Sequence, residues 1–343
     1  MSACCLVGSV IGGGIVQQSK AAQTRPSPAS GPKRIWLPHP GFVEKQLAGR
    51  KYVVFVPGEY SARQSWPAIM FLHGKGERGT DGRLQCTVGL GPAIADYERE
   101  GRFPFVAIFP QAIDFGRADD DLTMAILDKS LSEYRIDPDR VYLTGLSMGG
   151  AGTWRLAARH PDRFAAIAPV CGRTDPRLAG NLRHMPVWCF HGDADPVIPV
   201  EESRRMIAAL RKLGAAARYT EYPGVTHNSW DAAYGTRELY TWFLEHRRRP
   251  VPASVSYRFP LDEFRGPHGV WWLRIEKATS GAGLGSIEAE MAADALIVTT
   301  ENVQEASVLV DALPSRAGLP RTVRLNGRDG PAVIDAGRII LRP

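Results

Sequence analysis

Between residues 42 and 247, short apolar runs of strand length alternate with stretches of helical period, and no other feature narrows the fold so far. Residues 52–56, 66–72, 105–109, 141–144, 164–170, 187–190 and 217–222 are rich in β-branched and aromatic side chains, and most of them end at a proline, a glycine or a polar turn. Helical spacing separates several of them. Leu122, Ile126, Leu127 and Leu131 share one face of a helix predicted over 120–134, and further helices are predicted over 151–159, 201–213 and 236–247. Apolar strands linked by amphipathic helices imply an α/β domain around a mainly parallel sheet, because parallel strands need crossovers that cover both faces.

After Pro250 the pattern changes. Residues 254–259, 270–275, 286–291, 296–300, 307–310, 322–325 and 339–341 are short strand candidates separated by Gly, Pro, Asn and Asp turns. That spacing predicts a small β-sandwich-like domain over 250–343. The expected organisation is a leader over 1–34, the α/β domain over 35–249, and this β-rich domain. Trp271 and Trp272, read as neighbours in one strand, should face opposite sides, one of them inward.

Composition removes whole classes of function. Hydrophobic and charged fractions of 44% and 23% exclude disorder and fibrous repeats, and no apolar run is long enough for a membrane span. The net charge of +6 is dispersed, and the one dense basic cluster, His246 to Arg249, falls where a helix should end. Cations there complement the helix dipole, so no nucleic-acid partner is expected. The cysteines Cys4, Cys5, Cys86, Cys171 and Cys189 lack metal-ligand spacing; Cys171 and Cys189 read as small buried hydrophobes.

Residues 3–16 are apolar and glycine-rich, of signal-peptide length, and Ser19 and Ala21 are small residues suited to a cleavage site. No Lys or Arg precedes that stretch, and residues 23–33, with three prolines, read as a disordered tail. On balance the segment predicts a secreted or periplasmic protein.

The chemistry gathers at strand ends. Gly145-Leu146-Ser147-Met148-Gly149-Gly150 lies between a strand and a helix, where small neighbours let the chain turn sharply and leave the serine hydroxyl exposed. Serine needs a base, and the base needs an orienting acid. The loop after strand 187–190 offers Asp193 and Asp195; Asp195, before Pro196 at the apex, suits the acid, and Asp193 suits a turn. His191, immediately after the strand, reads as a hydrogen-bonded structural residue. His227 follows both the serine and the acid and precedes the last helix, which suits the base. The backbone N–H groups of Met148 and Lys75, the latter in the glycine-rich turn 73–79, are placed to hold an oxyanion, with Gly76 as neighbour.

Phe71-Leu72-His73-Gly74-x-Gly76-Glu77-Arg78-Gly79, the serine elbow preceded by Asp137-Pro138-x-Arg140-Val141, the acid loop and Gly224-x-x-His227-Asn228-Ser229-Trp230 occur in order. Together they resemble the α/β-hydrolase superfamily, in the group of bacterial feruloyl and acetylxylan esterases and polyhydroxybutyrate-depolymerase-like esterases. Such sequences are also labelled prolyl-oligopeptidase-like or phospholipase/carboxylesterase. The resemblance spans about residues 42–248, and Lys75 departs from it where a small residue is commoner. It implies an α/β-hydrolase fold and a serine esterase working through an acyl-enzyme, with Ser147, Asp195 and His227 as triad. Short-chain or phenolic acyl esters, free or polymer-linked, are the implied substrates. No metal or organic cofactor is implied. Trp154 and Trp230 are expected to line the substrate site, with Gly76, although Trp154, about two turns into its helix, suits the core equally. Two alternatives stay open: a peptidase with the same triad, and a non-catalytic protein whose β domain binds a polysaccharide. The β domain is expected to be separable, so that a chain ending near Arg249 keeps its chemistry on small esters.

Overall fold

The computed structural model describes residues 41–314 and 318–343, so the leader expected over 1–34, with its export signal, lies outside the described residues. Eight strands form the first sheet: β1 (Phe42–Leu47), β2 (Arg50–Phe55), β3 (Trp66–Leu72), β4 (Val106–Pro110), β5 (Ile136–Leu146), β6 (Ala166–Val170), β7 (Val187–Gly192) and β8 (Ala217–Tyr222). Their order is β1-β2-β4-β3-β5-β6-β7-β8. The pairings β1–β2 and β2–β4 are antiparallel; from β4 to β8 every pairing is parallel.

Period-two alternation divides the strand residues between two cores. Ala68, Met70 and Leu72 of β3 face one core, and Ile69 and Phe71 face the other. Three helices cover the first core: α2 (Arg117–Glu133) through Ile126 and Leu127, α3 (Met148–Arg159) through Trp154 and Leu156, and α4 (Glu201–Lys212) through Met206 and Leu210. On the opposite face lie α1 (Leu90–Glu100), α5 (Trp230–Gly235) and α6 (Arg237–Leu244), which bury Leu90, Ile94, Tyr234, Leu239 and Phe243. With helices on both faces, β3, β4 and β6 are apolar along their whole length.

Several local expectations shift. The helix expected over 236–247 begins instead at Arg237, with the Thr236 hydroxyl accepting from the Glu238 N–H at 3.3 Å, and ends at Leu244. The basic cluster therefore lies beyond the helix. Arg247 pairs with Asp137 at 3.0 Å and Arg248 with Asp139 at 2.8 Å, which neutralises much of it against the start of β5. The strand predicted over 141–144 starts earlier, so that residues 136–139 belong to β5 as well. Cys86, Cys171 and Cys189 are free and buried.

Ten further strands make two five-stranded sheets. One contains β10 (His268–Val270), β11 (Leu273–Ala278), β14 (Val303–Leu309), β17 (Ile334–Asp335) and β18 (Arg338–Leu341). The other contains β9 (Ser254–Pro260), β12 (Leu284–Ala292), β13 (Ala295–Glu301), β15 (Thr322–Leu325) and β16 (Arg328–Pro331). They share one core that includes Tyr257, Ile275, Ile287, Leu296 and Val308. The run expected as one strand over 270–275 is a hairpin, and Trp271 and Trp272 form its turn rather than a strand. Trp271 takes φ +56, a left-handed conformation that is costly for a bulky residue; it leaves the Trp272 indole fully buried and its neighbour half-buried at the surface.

The β sheets pack on the first sheet's helices through polar backbone contacts. Asn181 is the main tie: its amide donates to the carbonyls of Ala158 at 2.9 Å and Arg258 at 2.7 Å, while its oxygen accepts from the Arg258 N–H at 2.8 Å. His268 Nε2 meets the Arg159 carbonyl at 2.8 Å, and Tyr257 reaches the same oxygen at 3.4 Å. Beside them His160 and His268 rings meet edge to face at 5.1 Å. Burial, with the field of His268, pushes the His160 pKa down to about 3.

Two outcomes follow from this seam. Asn181→Ala removes three buried hydrogen bonds and leaves the Arg258 N–H without a side-chain partner, a cost of about 3 kcal/mol. Calorimetry should show a melting temperature lowered by roughly 5–10 °C; an unchanged value would mean that the tie carries no stability. His160 is also a source of acid sensitivity. Its unfolded form takes up a proton below 6.5 and its folded form only near 3, so stability is fully present above 6.5 and is lost as pH falls through that window. Urea unfolding at pH 7 and pH 4.5 should show this loss, and His160→Asn should reduce the dependence on pH.

Candidate active site

The turn from β5 into α3 is set by backbone crowding. A Cβ at Gly149 would lie 2.0 Å from the Leu72 carbonyl oxygen, and one at Gly145 would lie 2.5 Å from the Gly149 oxygen, so neither position admits a side chain. Ser147 between them takes φ +53 and ψ −114. Its N–H donates to the Val170 carbonyl at 3.0 Å, and its carbonyl accepts from Ala151 at 2.9 Å. These bonds hold an unfavourable conformation that lifts the hydroxyl out of the sheet edge.

Ser147 Oγ lies 2.8 Å from His227 Nε2, and His227 Nδ1 lies 2.7 Å from Asp195 Oδ2. The three residues named from the sequence thus form one hydrogen-bonded chain. The other Asp195 oxygen accepts from the N–H groups of Val197 at 2.8 Å and Ile198 at 3.0 Å. Burial alone would raise the Asp195 pKa, but hydrogen bonds from His227, Ile198 and Val197 outweigh it and hold the carboxyl below its ordinary range. Asp193 instead accepts from the Gly224 N–H at 2.6 Å, the turn role expected of it.

His191 contacts the acid as well. Its Nε2 faces two acceptors, Asp195 Oδ2 at 3.2 Å and the Ile198 carbonyl at 3.0 Å, so that nitrogen carries the hydrogen. Nδ1 then accepts from the Ser203 hydroxyl at 2.7 Å, and Ser203 accepts from the Cys189 thiol at 3.3 Å. This buried relay fixes Asp195 from behind. Its signal in the sequence was slight, because Ser203 lies in α4 and shows no motif.

The oxyanion candidates sit at two adjacent strand ends. Met148 opens α3 and Lys75 opens a short 3-10 turn (Lys75–Glu77) after β3, which pairs with β5. First-turn N–H groups have no intrahelical acceptor, so both are free to point at a ligand. The Lys75 side chain is exposed, and Gly76 is exposed with nothing within 4 Å of a built Cβ. His73 just before them is neutral, its pKa pushed down to about 4 by burial; Nδ1 donates to the Gly74 carbonyl at 2.7 Å and Nε2 accepts from the Ala112 N–H at 3.0 Å.

A cleft of about 810 Å³ opens over Ser147 and Met148. Ala151, Gly152 and Arg155 of α3, Arg173 to Arg177 after β6, and Val197, Ile198 and Glu202 make most of its wall. Pro260, Asp262, Glu263, Ala282 and Gly283 complete it from the β domain. The three hydrogen-bonded residues all precede residue 250, whereas the cleft takes part of its wall from beyond it. Trp154 does not line it: the ring is fully buried against the sheet, which corrects the expected substrate contact. Neither Gly76 nor Trp230 belongs to the cleft lining; Trp230 stands edge-on to the His227 ring at 5.4 Å.

Among the described residues, Cys171, Asp195 and His227 form the one group with metal-ligand atoms within 4.8 Å. The trio suits a cation poorly. Burial pushes the Cys171 thiol up to about 12, and the other two already bond each other. No helix among the described residues is long and apolar enough to cross a membrane.

Known proteins place the chain among relatives of the same kind. "Putative esterase NocK" of Nocardia uniformis subsp. tsuyamanensis is 34% identical over 155 residues, 42% of this chain and 44% of that protein. "Bifunctional acetylxylan esterase/xylanase XynS20E" of Neocallimastix patriciarum is 27% identical over 212 residues, 59% of this chain and 29% of that protein. The matched stretches thus span less than half the length of either relative. A solved structure described as a thermostable esterase aligns with a TM-score of 0.56 and 33% identity, covering 61% of this chain and 64% of that one. The family match covers residues 41–230, most of the first sheet and all three hydrogen-bonded residues, so this chain belongs to the Dienelactone hydrolase family, with the α/β-hydrolase fold.

Proposed function

We propose that this protein hydrolyses carboxylic esters through an acyl-enzyme on Ser147. The observation that carries the reading is the unbroken chain from Ser147 Oγ through His227 to Asp195, at 2.8 and 2.7 Å, on a turn that exposes the hydroxyl. In the first step His227 Nε2 takes the hydroxyl proton as Oγ attacks the acyl carbon. Asp195, held by two amides and His191, keeps the hydrogen on Nδ1 and stabilises the imidazolium. The N–H groups of Met148 and Lys75 receive the oxyanion, and His227 then returns its proton to the leaving alcohol. Water repeats the sequence to release the acid.

The substrate we assign is a short-chain or phenolic acyl ester carried on a large polar group, such as a polymer. Relatives named as acetylxylan esterase and feruloyl esterase support the acyl range. The cleft supports the polar carrier: Phe115 is its one aromatic ring, whereas arginines and carboxylates make much of its wall. An extracellular polymer as substrate suits the export expected from the N-terminal segment.

Ser147→Ala should abolish labelling by a fluorophosphonate probe and lower kcat on p-nitrophenyl acetate by several orders of magnitude. Asp195→Asn should cost on the order of 10⁴ in kcat, with Asp193→Asn far milder. Retained labelling, or the reverse ranking of the two aspartates, would sink the assignment. A chain ending at Arg249 should still label. It should lose more kcat/KM on polymer-linked esters than on p-nitrophenyl acetate, because only the former reach the wall from the β domain.

A further inference from the structure

A second cleft lies between the two parts of the chain. It has a volume of about 260 Å³ and is lined on one side by the Arg183–Pro186 turn and Arg248 to Pro250, and on the other by β9 and the Trp271 turn. Four of its lining residues, Arg183, His184, Arg248 and Arg249, are basic, and none is acidic. Arg248 is committed to Asp139 at 2.8 Å and to the Asp162 carbonyl at 3.1 Å. The side chains of Arg183 and Arg249 are exposed and have no carboxylate or hydrogen-bond partner among the described residues. The His184 pKa is lowered, first by burial and then by the charges of Arg183 and Arg249, so a neutral imidazole stands beside the two guanidinium groups in the same cleft.

Unpaired arginines gathered around a concavity are arranged for an anion, and the guanidinium fork matches a carboxylate in two parallel bonds. The walls add further detail. Pro161, Pro186, Pro250 and Pro252 fix the shape. Trp271 offers a half-buried ring whose indole N–H has no partner among the described residues, and its strained φ of +56 is locked by its N–H on Asp162 Oδ2 at 3.2 Å. Ser254 and Ser256 fall on the same side of β9 and bring to the same cleft two hydroxyls that have no protein partner among the described residues. A flat ring, hydroxyls and a carboxylate receptor together match a sugar that carries a carboxylate. The volume, below the roughly 300–1,000 Å³ of drug-sized sites, fits one or two such rings.

We infer that this cleft binds a uronate residue of an acidic polysaccharide, at a site whose lining shares no residue with the Ser147 cleft. Trp271 stacks on the pyranose face, Arg183 and Arg249 take the carboxylate, and the serine hydroxyls meet the ring hydroxyls. The β domain thereby gains a binding role that does not depend on the ester reaction.

Calorimetric titration of the full chain with a galacturonate oligosaccharide at low salt tests this. Saturable binding is expected, weakened by salt, with none for a neutral xylo-oligosaccharide. Arg183→Ala with Arg249→Ala should weaken it on the order of tenfold or more, with p-nitrophenyl acetate hydrolysis unchanged. Trp271→Ala should weaken it too, provided its melting curve is native. The charge-matched pair Arg63→Ala with Arg328→Ala, at exposed arginines outside this cleft, should leave binding intact. Absence of saturable binding, equal loss in the charge-matched pair, or displacement by inorganic phosphate as readily as by free galacturonate would each overturn the inference. The binding readouts do not require that the esterase assignment be right.

Discussion

The contact between Gly149 and the Leu72 carbonyl is the constraint from which the rest of the site follows. With a Cβ excluded there by an approach of 2.0 Å, α3 docks directly on the end of β3, and the chain must turn within one residue to leave β5. That residue is Ser147, and its φ of +53 is the consequence. The strain is held by the Val170 carbonyl on one side and by Ala151 on the other, both inside regular structure. A looser turn would return the hydroxyl toward the sheet and away from His227. The same docking brings the first N–H of α3 beside the loop after β3, so one packing event positions both the Ser147 hydroxyl and the N–H groups of Met148 and Lys75.

The acid obeys a different logic, which is electrostatic rather than steric. A carboxylate with a fully buried side chain is costly unless several donors face it. Asp195 has Val197, Ile198, His227 and His191, so the charged form is favoured despite the burial. The relay behind it, Cys189 to Ser203 to His191, satisfies each polar atom in turn without opening the core to water. His191 therefore has a reason to be histidine: one nitrogen must accept from Ser203 while the other donates to the acid.

What the sequence made legible depended on whether the signal was local. Ser147, Asp195 and His227 each sit at a strand end within a recognisable turn, so order and spacing identified them before any coordinates. Trp154, about two turns into α3, suits the site or the core equally by its distance along the helix, and its position around the helix places it in the core. Ala151, Gly152 and Arg155 form the stripe facing the cleft; Gly150, Thr153, Trp154 and Ala157 form the stripe against the sheet. The Trp271-Trp272 pair was read as strand for its β propensity, but hairpin closure between Val270 and Leu273 overrode it. Helix α1 went unseen because Pro92 and the glycines around it masked a periodic face made of only Leu90 and Ile94. The cleft wall from Pro260 and Gly283 had no sequence signal at all, since it exists only where two loops of one domain meet a helix of another.

That wall explains why the two parts of the chain form one working unit even though each has its own core. The seam between them includes an apolar contact, Leu284 against the first core. It is tied by groups that accept only one geometry: the Asn181 amide against the edge of β9, His268 on the Arg159 carbonyl, Trp271 N–H on Asp162. Hydrogen bonds of this kind are directional, whereas apolar contact tolerates sliding. A seam built from them holds the loop at Pro260 to Glu263 in register with α3, and the cleft keeps its shape because Arg155 and Leu178 are shared between its wall and the seam. The family fold carries the three hydrogen-bonded residues, and loops of the two further sheets complete the wall of the cleft beside them.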